Sequence, residues 1–168
     1  MLKKTAIVAA ACAIALTGTT AEARKAKPAP QIERTSANPN SPIANSASLP
    51  AESRIFFISG TTPSPPDPAK PDDLGDTRQQ TLSVLTKIKT QLESMGLGMG
   101  DVVKMTVFLV GVPDKGGRMD SAAMNEVFRT FFGTPEQPNK PTRSTIQVAA
   151  LGRPTMYVEI EAVAAKAP

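Results

Sequence analysis

The sequence predicts an α+β fold in which two helices cover one face of a mixed β-sheet. Hydrophobic periodicity gives the order strand, helix, strand, helix, strand, strand. The strand over 101–110 is apolar on both faces, as a central strand is, whereas the last two strands alternate apolar and polar residues, as half-buried strands do. We therefore expect one sheet face to lie under the helices and the other to be open within a single chain.

The first half of the predicted domain contains a strand, a helix and the central strand. Residues 54–59 form a short apolar strand. Asp76 is suited to cap a helix that runs to about Met95, because Gly96 follows as a stop signal. The buried face of this helix consists of four apolar residues at helical spacing: Val84, Leu85, Ile88 and Leu92.

A second, shorter helix is predicted between the central strand and the end of the chain. Asp120 or Ser121 caps it, and it runs to Phe132 with Gly133 directly after it. Its apolar residues again follow helical spacing: Met124, Val127, Phe128 and Phe131.

The last two strands, over 141–151 and 156–163, are predicted to form a hairpin because turn residues occupy 152–154. Alternation places Arg143 and Thr145 on one face of the first strand, opposite Glu161 of the second. Tyr157 and Glu159 then lie on the same face, and the hairpin displays a guanidinium and two carboxylates together. The alternative is a solvated face with a weak surface ion pair.

The two ends of the chain differ from the folded part in composition. Residues 1–23 have the charged start, apolar run and Ala-x-Ala cleavage pattern of a bacterial signal peptide, which predicts a periplasmic or secreted protein. An alternative is a lipoprotein anchored through Cys12. Residues 24–50 are rich in Pro, Ala, Ser and Asn and are predicted to be a disordered tail. A single domain follows over 51–168, with a proline-rich loop at 61–73.

The composition restricts the chemistry that the protein can use. The chain has no histidine, and its one cysteine, Cys12, lies in the predicted signal peptide. Disulfides, thiol nucleophiles, imidazole bases and Cys/His zinc sites are therefore not expected, and no metal or cofactor is predicted. The formal net charge is +4 and the basic residues are scattered, which is a weak signal for nucleic-acid binding. There is also no tryptophan on which bases could stack.

Several local strings, in this order, resemble the RidA (YjgF-type) family of reactive intermediate deaminases. The resemblance extends from about residue 55 to residue 164. Its most specific part is the pair PTRS (141–144) and VEIEA (158–162), which follows the central strand GDVVKMTVF (100–108). The other matching strings are FISG (57–60), TRQQTL (77–82) and MNEVFRTFF (124–132).

The resemblance implies a chorismate-mutase-like fold and a homotrimeric barrel with sites in the clefts between subunits. It implies that the substrate is a 2-imino or enamine acid, which water hydrolyses to a 2-keto acid and ammonia without a cofactor. At the matching positions, Arg143 grips the substrate carboxylate and Glu159 orients or deprotonates the water, with Glu161 as a second candidate. An arginine suits this role because its planar fork binds a carboxylate at two points. The remaining substrate-binding positions are Ser59, Gly60, Thr145 and Asn125.

The chain departs from the family pattern at two positions. Ile43 and Thr145 stand where family members often have a tyrosine and a cysteine. Thr145 keeps a hydrogen-bonding group, whereas Ile43 does not. The alternatives to a deaminase are a non-enzymatic trimer that binds small carboxylates or unfolded protein, and an RNA-binding or RNA-cleaving protein. Without the resemblance, a monomer with a solvated sheet face is also compatible with the sequence.

Overall fold

The computed structural model describes residues 28–168. The signal peptide predicted for residues 1–23 lies outside the described residues. Within residues 28–168, no helix is both long and apolar enough to cross a membrane. The strands are β1 (Glu33–Thr35), β2 (Ser46–Ser48), β3 (Arg54–Thr61), β4 (Val102–Val110), β5 (Thr142–Val148) and β6 (Val158–Lys166). The α-helices are α1 (Thr77–Ser94) and α2 (Ser121–Phe128).

The main sheet has the strand order β3-β6-β4-β5, and both α-helices pack on one of its faces. Strand β4 pairs parallel with β5 and antiparallel with β6, so the sheet is mixed. The predicted fold class is therefore confirmed. Parallel neighbours need a crossover connection, and α2 supplies it between β4 and β5.

The predicted hairpin of the last two strands is wrong. Strand β4 lies between β5 and β6 and pairs with both. The connection over 149–157 is longer than a tight hairpin turn, and an edge position for β4 would leave its apolar residues poorly covered. Burial of β4 on both sides therefore decides the pairing. Its residues Met105, Val107 and Leu109 are completely buried.

The predicted ends of the helices largely agree with the structure. The side chain of Asp76 accepts a hydrogen bond from Gln79 N at 2.8 Å, and the side-chain oxygen of Gln79 accepts one from Asp76 N at 3.0 Å, forming a capping box at the start of α1. Gly96, with φ of 71°, follows its end. Asp120 caps α2, which ends at Phe128 rather than at Phe132 because the next turn is irregular.

Strands β1 and β2 lie where composition alone predicts a tail without regular structure. They pair antiparallel, and a guanidinium N–H of Arg34 donates to the carbonyl of Gly100 at 3.0 Å. Further along, Ala44 N donates to the Pro141 carbonyl at 2.9 Å. Hydrogen bonds to the domain and the packing of Ile43 against the core hold the segment in position. These contacts bring residues 39–44 beside the start of β5.

Candidate functional site

Arg143 is the centre of the first group of predicted site residues. Its guanidinium lies over the ring of Phe128, with the central carbon 4.3 Å from the ring centre. One N–H group donates to the Asn125 side-chain oxygen at 2.7 Å, and another contacts the Met124 sulfur at 3.6 Å. All three partners lie on α2, so the helix that packs behind β5 holds the guanidinium plane in one orientation.

The electrostatic surroundings of Arg143 leave its charge uncompensated. Among residues 28–168, no carboxylate lies within ion-pair distance of it. Burial, reinforced by the positive charge of Arg129, lowers the pKa of Arg143 to about 10. The group is still protonated at neutral pH. A half-buried, oriented guanidinium without a protein counter-ion is suited to binding a carboxylate.

Thr145 lies two residues beyond Arg143 on β5 and faces the same side of the sheet. Its hydroxyl oxygen is buried and has no hydrogen-bond partner among the described residues. A buried hydroxyl without a partner is energetically unfavourable, so a ligand that reaches Arg143 could satisfy it. Arg143, Asn125 and Thr145, predicted to share a site, therefore do lie on one side of the sheet.

Glu159 belongs to a second group of predicted site residues, which lies on β6 and on the neighbouring edge strand β3. Strand β3 carries one extra residue relative to β6 between Ile58 and Thr61, which is a β-bulge at Ser59 and Gly60. The bulge brings the backbone of Gly60 against the Glu159 side chain so closely that a Cβ at position 60 would overlap its carboxylate. Glycine at position 60 therefore makes room for this carboxylate.

The second group lies on the face that the helices leave uncovered. Glu159 pairs with Phe108, and Glu161 pairs with Thr106. Glu161 is exposed, whereas Glu159 is half-buried because of its contact with the bulge. Of the two carboxylates, Glu159 is thus the one that packs against a neighbouring strand, at the bulge in β3.

The expectation that Arg143 shares a face with Glu159 and Glu161 is wrong. Met105 of β4 pairs with Arg143 on one side and with buried Ala162 on the other, so Arg143 lies on the helix-covered face. The glutamates lie on the opposite face because they are an odd number of residues away from Ala162. The error follows from the hairpin register, which paired β5 directly with β6.

Tyr157 also differs from its expected place on the open face. It precedes β6, is half-buried, and packs against the core. Its backbone N–H donates to the side-chain oxygen of Gln80 at 2.7 Å, which ties the start of β6 to α1. Ile43 is also partly buried and packs against the core.

Sequence reasoning assigned Phe128 to the core and did not identify its second role as the platform beneath Arg143. Helical spacing indicates that Phe128 is inward-facing, but it does not show that β5 places an arginine over the ring. Arg129, which lowers the pKa of Arg143, was also missed. In the described part of the chain, no group of three or more His, Cys, Asp or Glu residues is arranged to hold a metal ion.

The chain is similar to a group of curated proteins and solved structures. A family model described as endoribonuclease L-PSP matches residues 35–166. The "Putative reactive intermediate deaminase TdcF" of Escherichia coli is 38% identical over 113 residues, which cover 67% of this chain and 79% of that protein. A RutC family protein of Pyrococcus horikoshii is 37% identical over 114 residues, with the same coverage of 67% and 79%.

Two solved structures extend the comparison to the fold. The structure of E. coli TdcF with bound serine has a TM-score of 0.54 at 30% identity and covers 80% of this chain and 100% of that one. The YjgF gene product of E. coli has a TM-score of 0.53 at 30% identity, with coverage of 79% and 98%. The chain therefore belongs to the endoribonuclease L-PSP family, the group that its motifs identify as RidA or YjgF-type proteins.

Proposed function

We propose that the protein hydrolyses 2-imino acids and their enamine tautomers to 2-keto acids and ammonia. The observation that carries this proposal is the Arg143 guanidinium, held by Asn125 and Phe128 without a carboxylate partner. The similarity to a protein named as a reactive intermediate deaminase supports the reaction class. The serine bound in the TdcF structure is an amino acid and so carries the carboxylate that Arg143 would bind.

In the proposed reaction, Arg143 binds the substrate carboxylate and fixes the plane of the C=N bond. Glu159 accepts a proton from a water molecule as its oxygen adds to the imine carbon. Delivery of this proton to the imine nitrogen gives a carbinolamine. Its hydroxyl proton then moves to the nitrogen as the C–N bond breaks, which releases ammonia and leaves the keto acid. Because imines hydrolyse readily, orientation and modest acid/base assistance are sufficient.

The proposed site requires more than one copy of the chain. Arg143 and Glu159 lie on opposite faces of the sheet, so they can meet only if the open face of one subunit packs beside β5 of another. The open face presents apolar side chains that are unusual for a solvated surface, because Phe57 is 81% exposed and Ile55 and Ile146 are about half exposed. A homotrimer in which the open faces point inward would cover them.

We therefore expect the protein to be a trimer in solution and Phe57→Glu to dissociate it, because a carboxylate on the inward face would lose its hydration. Light scattering at micromolar concentration measures the mass of each form. Leu82→Glu, a change at another exposed apolar residue on α1, is the matched control and should leave the mass unchanged. A wild-type monomer would contradict the trimer and the shared site together.

The deaminase proposal is tested by generating 2-imino acids in situ with an amino acid oxidase and following their decay. We expect the protein to accelerate the decay and to release one ammonia per keto acid. The alternative function is that of a trimer that binds small carboxylates without turnover. It predicts saturable keto-acid binding and an unchanged rate of imino-acid decay. An unchanged decay rate across a range of imino acids would overturn the deaminase proposal.

We also propose that the protein is exported and that its mature form begins near Arg24, because residues 1–23 have the composition of a signal peptide. We expect intact-mass spectrometry of the protein recovered from the periplasm or medium to show the loss of this segment. Retention of residues 1–23, or a lipid on Cys12, would contradict the proposal.

A further inference from the structure

A basic pocket lies beside the Arg143 group and is used by none of the predicted site residues. Its volume is about 380 Å³, and its walls come from the turn after α2, the segment 39–42 and Lys140, two residues before β5. Two of its side chains are cationic, Arg129 and Lys140, and no aspartate or glutamate lines it. Neither cation forms an ion pair among residues 28–168.

The two cationic groups are held by consecutive carbonyls of one segment. Arg129 donates to the carbonyl of Asn40 at 3.0 Å, and Lys140 donates to the carbonyl of Pro39 at 2.6 Å. Pro39 directly precedes Asn40 in the chain. Consecutive carbonyls are close together along the chain, so the guanidinium and the ammonium approach the pocket from neighbouring points. These bonds use one N–H group of each side chain and leave the others directed to solvent or a ligand.

The side-chain stem of Lys140 lies against Gly133. Gly133 has φ of 73°, a conformation that favours glycine, and a Cβ at this position would approach the Lys140 Cε to 3.0 Å. The methylene stem of the lysine therefore lies across Gly133 and brings the ammonium over the pocket.

An aromatic pair separates the pocket from the proposed carboxylate site. Phe132 forms one wall of the pocket, and its ring stacks on that of Phe128 with 4.6 Å between the ring centres. Arg143 lies over Phe128. The two sites are therefore neighbours. Their cationic side chains belong to different parts of the chain, so a mutation can remove a cation from one site and leave those of the other in place.

We propose that Arg129 and Lys140 form a binding site for a dianionic phosphate group, either inorganic phosphate or the phosphate of a small phosphomonoester. Two cations that line one pocket match the two negative charges of such a group. A carboxylate has a single negative charge and would neutralise only one of the two cations. The planar guanidinium can bind two phosphate oxygens while the ammonium binds a third. The site does not depend on the deaminase activity.

The proposal is tested by calorimetric titration of the purified protein with inorganic phosphate and, separately, with glycerol phosphate at low ionic strength. We expect saturable binding that Arg129→Gln and Lys140→Gln each weaken about tenfold, the effect of losing one charge-assisted hydrogen bond. Arg118→Gln removes the same charge from an exposed arginine outside the pocket and should change the affinity less than about twofold. Tighter binding of the ester than of inorganic phosphate would identify a phosphorylated small molecule as the ligand, and the reverse would identify free phosphate.

Arg143→Lys provides a second control. It should leave phosphate affinity unchanged while weakening the binding of a 2-keto acid. Lys140→Gln should instead weaken phosphate binding and leave keto-acid binding unchanged. Circular dichroism verifies that each variant is folded. Undetectable phosphate binding, or an equal loss in Arg118→Gln, would overturn the phosphate site, whereas failure of the deaminase assay alone would not affect it.

Discussion

Replacement of Arg143 by lysine is expected to lower kcat/KM for imine hydrolysis by about 10- to 100-fold, the effect of losing bidentate charge-assisted hydrogen bonds. Lysine keeps a positive charge at this position, but it has no planar fork to orient a carboxylate. It also loses the stacking of the guanidinium over Phe128 and the geometry of the bond to Asn125. The coupled oxidase assay measures the effect directly.

The fold should survive the Arg143→Lys change, because the lysine stem can occupy the same groove between β5 and α2. We expect Tm to shift by no more than about 4 °C, roughly what a loss of 1 kcal/mol produces in a domain of this size. Arg118→Lys makes the same substitution at an exposed arginine and is the matched control. Near-normal turnover in Arg143→Lys would contradict the role assigned to the guanidinium.

Replacement of Glu159 by glutamine is expected to slow imine hydrolysis by about 100-fold, within the range that a general base contributes. Glutamine has the same shape as glutamate and fits against Gly60, but it cannot accept a proton from water. Binding of a 2-keto acid at Arg143 should be unchanged, because the two residues bind different parts of the substrate. Turnover and binding measured on the same preparation separate the two effects.

Glu161→Gln is the matched control for Glu159→Gln, since both side chains lie on the open face of β6 two residues apart. Glu161 is exposed and has no contact like that between Glu159 and the bulge. Its replacement should leave turnover within about twofold of wild type and act mainly on the stability of the proposed trimer. If Glu161→Gln abolished turnover and Glu159→Gln did not, the assignment of the base would be wrong.

Local chemistry made most secondary-structure elements predictable. Asp76 and Asp120 cap helices because a short carboxylate placed before an amphipathic segment satisfies free N–H groups at its start. Strand β4 is recognisable because both of its faces are apolar. These features depend on residues close together in the sequence, and motif resemblance added Arg143 and Glu159 as candidates.

The spatial relation between the candidates could not be predicted in the same way. Alternation sorts the residues of one strand into two faces, but it does not state which strand is the neighbour. Once β4 lies between β5 and β6, Arg143 falls on the face covered by the helices and Glu159 on the open one. The platform of Phe128 beneath Arg143 was hidden for the same reason, since it joins two elements by packing rather than by spacing.

By itself, the sequence determined the α+β class, the helix starts and the central position of β4, because each depends on local propensity, capping or hydrophobic period. The residues that carry the proposed chemistry came from the resemblance of its motifs to a known family. Only the tertiary structure decided the strand order, the separation of Arg143 from Glu159, and the position of Arg129 and Lys140 around one pocket. The physical reason is that pairing between strands is set by how completely the whole chain can bury β4. That burial is a property of contacts between residues far apart in the sequence.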